Sequence, residues 1–196
     1  TYNLQLQAGW EKWLLDLVAI GTVADCTSLL GENRIFVKWG LHVLQKTRSL
    51  GLKKLMEKAG IAGSEMDTYK VGFTVAPRLN AAGRIEHANL ALELLLTDDE
   101  VRAAELASEL DELNRKRQQL TQRILSEARE QLLQSGDKRI LLAASENWPR
   151  GIVGLVAGKL TEEFYKPVLI LEKGASEAVG SARSVTGFNI VEAISQ

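Results

Sequence analysis

One cysteine, two histidines and three prolines are all that this chain of 196 residues holds of those types. The lone Cys26 excludes an internal disulfide framework and makes a reducing cytoplasm the expected setting. His42 and His87 stand far apart, so a histidine-rich metal site cannot be assembled from this chain alone. No run approaches the roughly 20 apolar residues that a membrane span needs. Residues 1–7 lack the basic, apolar and small-residue stages of a signal peptide, and no membrane association is expected. Charge of one sign is missing too: 24 basic residues face 25 acidic ones, a net charge of −1. A protein that neutralises many phosphates is usually more basic across its binding domain, so any nucleic-acid role must rest on local clusters. What remains is a composition 45% hydrophobic and 25% charged, that of a soluble globular protein with enough chain for one domain or two small ones.

The chain divides by pattern into three sections. The first, 1–97, reads as mostly helical. Trp10, Trp13, Leu14 and Leu17 fall at helical spacing, and with Trp39 they are expected in the core. Residues 34–46, 52–59 and 87–96 read as further amphipathic helices, with Gly51 and Gly60 as punctuation. The second section, 98–136, is a single long helix opened by a capping box at Thr97 and Glu100 and stopped at Gly136. It would run for roughly 55 Å. Its apolar stripe thins at 114–119, where Arg115, Lys116, Arg117, Gln118 and Gln119 follow in a row, the pattern of a connector that packs at both ends. The third section, 137–196, alternates strand at 140–144, helix at 151–165, and strands at 167–171 and 178–184, which suggests a βαβ unit with a partly parallel sheet. The fold class is therefore α/β.

Four motifs carry chemistry. Asp25 ends an apolar stretch through Gly21-Thr22-Val23-Ala24, where a carboxylate can reach a cation without entering the core, or can serve as a cap or turn residue. Arg78, Asn80 and Arg84 lie within Pro77-Arg78-Leu79-Asn80-Ala81-Ala82-Gly83-Arg84. Arginine's planar fork suits phosphate oxygens, and Gly83 with the alanines would leave room for them; a proline-initiated turn with solvated arginines explains the same letters. Arg150 precedes Gly151 at a helix opening, where backbone amides favour anions, while Gly154 and Gly158, four apart, allow close packing on a sheet. Ser181, Arg183 and Ser184 group hydroxyls around a guanidinium, suited to a phosphate or sugar or to a polar turn at a strand end. Cys26 reads as buried rather than reactive, and the two histidines as surface or structural residues rather than ligands.

Together these segments resemble the DHH phosphoesterase superfamily, in the form found in RecJ exonucleases. The stretch from Asp16 to Asp25 is similar to the superfamily's fourth motif, whose terminal aspartate ligates the catalytic metal. The Pro77–Arg84 stretch resembles a signature that lies beside the catalytic centre and holds the DNA phosphate. The Trp148 and Gly180 segments resemble the DHH-associated domain, with Ala182 where the family pattern Gly-Ser-Gly-Arg-Ser has its middle glycine. The resemblance implies the C-terminal part of a DHH domain (1–97), a connector helix (98–136) and the start of a DHH-associated nucleic-acid-binding domain (137–196). It implies a metal ligand at Asp25 and phosphate contacts at Arg84, Arg78, Asn80, Arg150, Ser181, Arg183 and Ser184. The implied activity is 5′-to-3′ hydrolysis of single-stranded DNA in repair and recombination, with two Mn2+ or Mg2+ ions, a monomeric state and possible DNA-repair accessory proteins.

Neither an Asp-His-His nor an Asp-x-Asp-x-Asp cluster occurs, and the Gly-Gly-His segment of the family is missing as well. The chain is accordingly expected to be the middle of a larger enzyme and to be inactive alone, since one carboxylate cannot hold two divalent ions. A phosphoesterase for short oligonucleotides or small phosphorylated compounds, and a non-catalytic helical adaptor, are the alternatives.

Overall fold

The computed structural model describes residues 8–195. They form two compact units that divide between Asn114 and Arg115. In the first unit a 3-10 turn, Trp10–Leu14, leads into α1 (Leu15–Ala24), followed by α2 (Gly31–Gln45) and α3 (Leu50–Lys58). Next comes a helical run without a break: α4 (Thr68–Lys70), a π-helical turn (Val71–Val75) and α5 (Ala76–Ile85). Then α6 (Asn89–Leu96) precedes the long α7 (Glu100–Gln134), whose first part belongs to this unit and whose remainder belongs to the second.

The core of the first unit is aliphatic: Leu44, Leu52, Leu55, Val71, Val75, Leu94, Leu106 and Leu110 are all fully buried. Gly51 lies inside α3 rather than punctuating it, because a Cβ there would collide with the Leu94 carbonyl oxygen where α3 crosses α6. The 76–85 segment is helical and not a turn; Pro77 lies inside a continuous helical run, directly after the π-helical turn, where the backbone hydrogen bonding is already irregular and a missing amide proton is tolerated. Its Ala81 and Ala82 are fully buried, so they allow helix packing and do not leave room for a ligand. The opening of α7 also differs from the expected capping box. The Asp99 carboxylate accepts the amides of Val101 and Arg102 at 2.8 and 3.1 Å, Thr97 Oγ1 accepts the Asp99 amide, and Glu100 turns away to pair with Lys54 at 2.7 Å. Nor do Trp10, Trp13 and Trp39 enter the core. Trp10 and Trp39 are exposed, and Trp13 lies under the Arg48 guanidinium, 3.8 Å from its ring.

Two polar links stand where apolar residues would be expected. Asp16 is buried and its Oδ2 accepts the Thr47 hydroxyl at 2.6 Å; Thr47 Oγ1 in turn accepts the amide of Ser49, the residue that caps α3. Arg78 donates through Nε to buried Asp111 at 2.9 Å and through Nη1 to the Thr74 carbonyl at 2.8 Å, which ties α5 to α7.

In the second unit, β1 (Leu141–Ser145) pairs in parallel with β2 (Val168–Lys173) across the intervening α8 (Arg150–Phe164), the expected βαβ arrangement. β3 (Ala178–Arg183) pairs antiparallel with β2, and α9 (Ile190–Ser195) follows. The core joins the second part of α7 (Ile124, Leu125, Ala128) to α8 and the sheet (Ile152, Val156, Leu160, Val168, Ile170). Trp148 is fully buried and its indole nitrogen donates to Glu127 at 2.7 Å. Arg129 on α7 grips the Glu163 carboxylate of α8 with two bonds of 2.7 Å.

Candidate nucleic-acid interface

Asp25 is the residue that closes α1. Its amide donates to the Gly21 carbonyl at 3.0 Å, and the side chain is exposed. Among the described residues its carboxylate has no hydrogen bond or ion pair. This matters because a carboxylate stabilises a helix at the N-terminus, where the dipole is positive, and not at the C-terminus, where it is negative. A capping explanation for Asp25 therefore fails: two negative features meet at one exposed point, an arrangement that favours a cation. Cys26 follows in the left-handed region, φ 53°, and is exposed rather than buried.

The chemistry of the donor set limits what that point can hold. Among the described residues no three His, Cys, Asp or Glu side chains converge as a metal would require. Hard divalent cations take six or more oxygen ligands in fixed geometry. The described residues do not by themselves make a divalent-metal site.

The arginine motif lies in the same unit. α1 packs against the π-helical turn and α5, with Gly72 beside Val23. Arg84 and Asn80 are exposed on α5, and Arg84 occupies its last turn. A cation there also suits the helix dipole, so position alone does not separate a structural from a binding role. Arg78 is different. Two of its donors are engaged by Asp111 and Thr74, which makes it primarily a core residue holding the helix that carries Arg84.

In the second unit the Gly180–Ser184 segment forms β3 and the turn after it. Gly180 is dictated by packing, since a Cβ would strike the Ile170 carbonyl oxygen on β2. Ala182 lies in extended strand opposite Leu169, so glycine's positive φ is not needed there. Ser181 and exposed Arg183 face Gly154 on α8, where a Cβ would stand 3.2 Å from Ser181 Oγ; the glycine spacing on α8 serves packing at Gly154. Gly158 instead opens onto a cavity of about 480 Å3 between α7 and α8, lined by Arg117, Gln122, Lys159 and Glu162 among others. Arg183 Nη1 donates to the Ala182 carbonyl at 3.0 Å. The Ser184 hydroxyl donates to the Phe188 carbonyl at 2.8 Å, so it closes a turn and can offer a ligand only its acceptor side. Arg150 Nε donates to Glu172 on β2, a contact that holds the guanidinium above its ordinary pKa and offsets its charge.

Against known proteins, the chain is 45% identical to the single-stranded-DNA-specific exonuclease RecJ of Bacillus subtilis over 188 residues, which cover 93% of this chain and 24% of that protein. It is 37% identical to RecJ of Dickeya dadantii, covering 92% of this chain and 33% of the relative, and 39% identical to RecJ of Thermus thermophilus, covering 91% and 26%. The chain is homologous to a segment of the RecJ exonucleases. Among solved structures, Thermus thermophilus RecJ in complex with Mg2+ superimposes with a TM-score of 0.83 at 35% identity, over 94% of this chain and 28% of that one. An exonuclease RecJ bound to manganese gives a TM-score of 0.79 at 34% identity, over 98% of this chain and 47% of that one. No protein-family model matches. The chain thus spans about a quarter to a third of the length of these curated relatives, and it shares the RecJ architecture of helical region, long helix and small α/β unit.

Several features escaped the sequence reading. Asp111 and Asn114 are buried on α7, and the only signal was that both interrupt its apolar stripe. Lys159 and Glu162 line a cavity that no local pattern announces. Tyr69 and Phe73, four residues apart just before the arginine motif, stack on each other with centroids 4.7 Å apart; their spacing was visible in the sequence.

Proposed function

We propose that this chain supplies phosphate-binding arginines and one metal-ligating carboxylate to a metal-dependent exonuclease that hydrolyses single-stranded DNA from the 5′ end in repair and recombination. The observation that carries the proposal is Asp25: an exposed carboxylate at the negative end of α1, without a partner among the described residues, on the helix that packs against α5, the helix that also carries Arg84. Its motif and the arginine motif both lie within the stretch similar to RecJ. In this reading Arg84 and Asn80 are the phosphate contacts of the first unit, and Ser181 and Arg183 are the nucleic-acid contacts of the second. Arg78 acts through its grip on Asp111, and Arg150 contributes less because Glu172 offsets its charge. The divalent ion, Mn2+ or Mg2+, would polarise the phosphodiester, and ligands beyond Asp25 would have to come from outside the described residues.

The test is binding and digestion by the purified 196-residue chain. It should bind oligo-dT, and Arg84→Ala and Arg183→Ala should each weaken binding about tenfold or more, the order of one lost charge-assisted hydrogen bond. With Mn2+ present it should leave the strand essentially uncut. Unchanged binding in both variants would remove the basis for the assignment, and vigorous Mn2+-dependent digestion would show that the metal site is complete within the chain.

A further inference from the structure

From the exposed face of the helical run 68–85 we infer a base-stacking platform, formed by Tyr69 and Phe73, for single-stranded nucleic acid whose phosphate is held by Arg84. The inference rests on the assignment of Arg84 above and extends it from phosphate to base. Three independent observations support it.

The first is the pair itself. The rings stack with centroids 4.7 Å apart and planes 29° from parallel, yet Tyr69 is 67% exposed and Phe73 70% exposed. Two stacked aromatic rings left in water are an unusual use of apolar surface, since each uses one face on the other and presents the rest to solvent. The second is placement. Tyr69 and Phe73 are four residues apart, as are Asn80 and Arg84, and all four side chains are exposed. Other residues of the same run (Val71, Val75, Ala76, Ala81, Ala82) are buried in the core. One continuous helical element therefore displays a π surface, an amide and a guanidinium to solvent, over about 22 Å of helix axis. The third is the local backbone. The run passes through a π-helical turn at Val71–Val75, which carries Phe73. Such turns are rare and cluster at functional sites.

Phosphate-binding cations combined with aromatic side chains on which bases stack form the general recipe for binding single strands without sequence preference. An apolar protein partner would need no guanidinium on the same element. A duplex would offer no free base faces. The class of ligand that uses all four side chains is a single-stranded polynucleotide.

The experiment compares two probes of equal length and charge on the 196-residue chain: an oligo-dT strand and the same backbone without bases. The wild-type chain should bind oligo-dT more tightly, by roughly 5- to 100-fold, the range of stacking one base on one aromatic residue. Tyr69→Ala and Phe73→Ala should bring oligo-dT binding towards the abasic level while leaving abasic binding unchanged. Phe73→Leu should behave like Phe73→Ala, and Tyr69→Phe should retain wild-type affinity; circular dichroism checks that each exposed-site variant is folded. Arg84→Ala should weaken both probes. Equal wild-type affinity for the two probes, or Phe73→Leu binding oligo-dT as well as wild type, would overturn the platform while leaving the phosphate assignment standing. Failure of the wild-type chain to bind either probe would overturn both.

Discussion

A carboxylate at the wrong end of a helix and an arginine in the core decide most of what single residues contribute here. Asp25 does nothing for α1 and is available for a cation, whereas Arg78, equally prominent in the sequence, spends two donors on Asp111 and Thr74. The Asp111 side chain is only 2% exposed, and Arg78 17%. Removing one partner of such a pair leaves a buried charge without compensation, which costs about 3 kcal/mol or more, while replacing both partners by apolar residues of similar volume is close to neutral. Asp111→Ala should therefore lower the urea-unfolding free energy by that order, and the double variant Arg78→Met with Asp111→Leu should recover most of it. DNA binding offers the second reading. The double variant should keep most of its oligo-dT affinity if Arg78 is a core residue; loss equal to that of Arg84→Ala would make Arg78 a direct contact instead.

At the scale of elements, what was legible in the sequence followed from period. α3, α6, α7 and α8 carry apolar residues at helical spacing, and the β1–α8–β2 unit alternates short aliphatic runs with an amphipathic helix, so the α/β class and the long helix could be read directly. The 76–85 helix could not, because Pro77 and Gly83 resemble turn residues and no local pattern announces the π-helical turn that precedes Pro77 and accommodates its missing amide proton. The aromatic residues misled for another reason. Periodicity shows that Trp10 and Trp39 share helices with aliphatic residues, but not whether anything covers them, and here they are exposed. The α7–α8 pairing was invisible because it joins residues 34 apart through Arg129 and Glu163. That pair makes a pH prediction. Hydrogen bonding to Arg129 holds the Glu163 carboxyl below its ordinary value near 4.5. Its contribution is complete above that ordinary value and is lost as pH falls through the lowered one. The increment is small, because both side chains are about a third exposed. Glu163→Gln should remove that component, so thermal midpoints of wild type and variant should lie apart at pH 7 and converge as pH falls below the ordinary carboxylate range. A constant separation across the titration would locate the acid sensitivity elsewhere.

Across the whole molecule the controlling fact is electrical balance, a net charge of −1 from 24 basic and 25 acidic residues. No general positive field draws a polyanion in, so association must come from a few guanidinium groups on a neutral background. Many of the cations are already compensated: Lys54 by Glu100, Arg102 by Glu93, Arg129 by Glu163, Arg150 by Glu172. Such economy has a measurable signature in counterion release. Each phosphate neutralised on a single strand adds about −0.7 to the slope of log affinity against log salt. If Arg84 and Arg183 carry the electrostatic part of binding, the slope should be shallow, about −1.4, and each of Arg84→Ala and Arg183→Ala should flatten it by about 0.7. Arg150→Ala should change it less, because Glu172 already balances that charge. Tyr69→Ala and Phe73→Ala should lower affinity at every salt concentration and leave the slope where it was, since stacking releases no ions. Fluorescence anisotropy of labelled oligo-dT between about 50 and 200 mM salt measures all of these lines at once. A steep slope unaffected by both arginine substitutions would mean that the strand follows other cations, and would move the interface away from the Arg84 helix and β3 altogether.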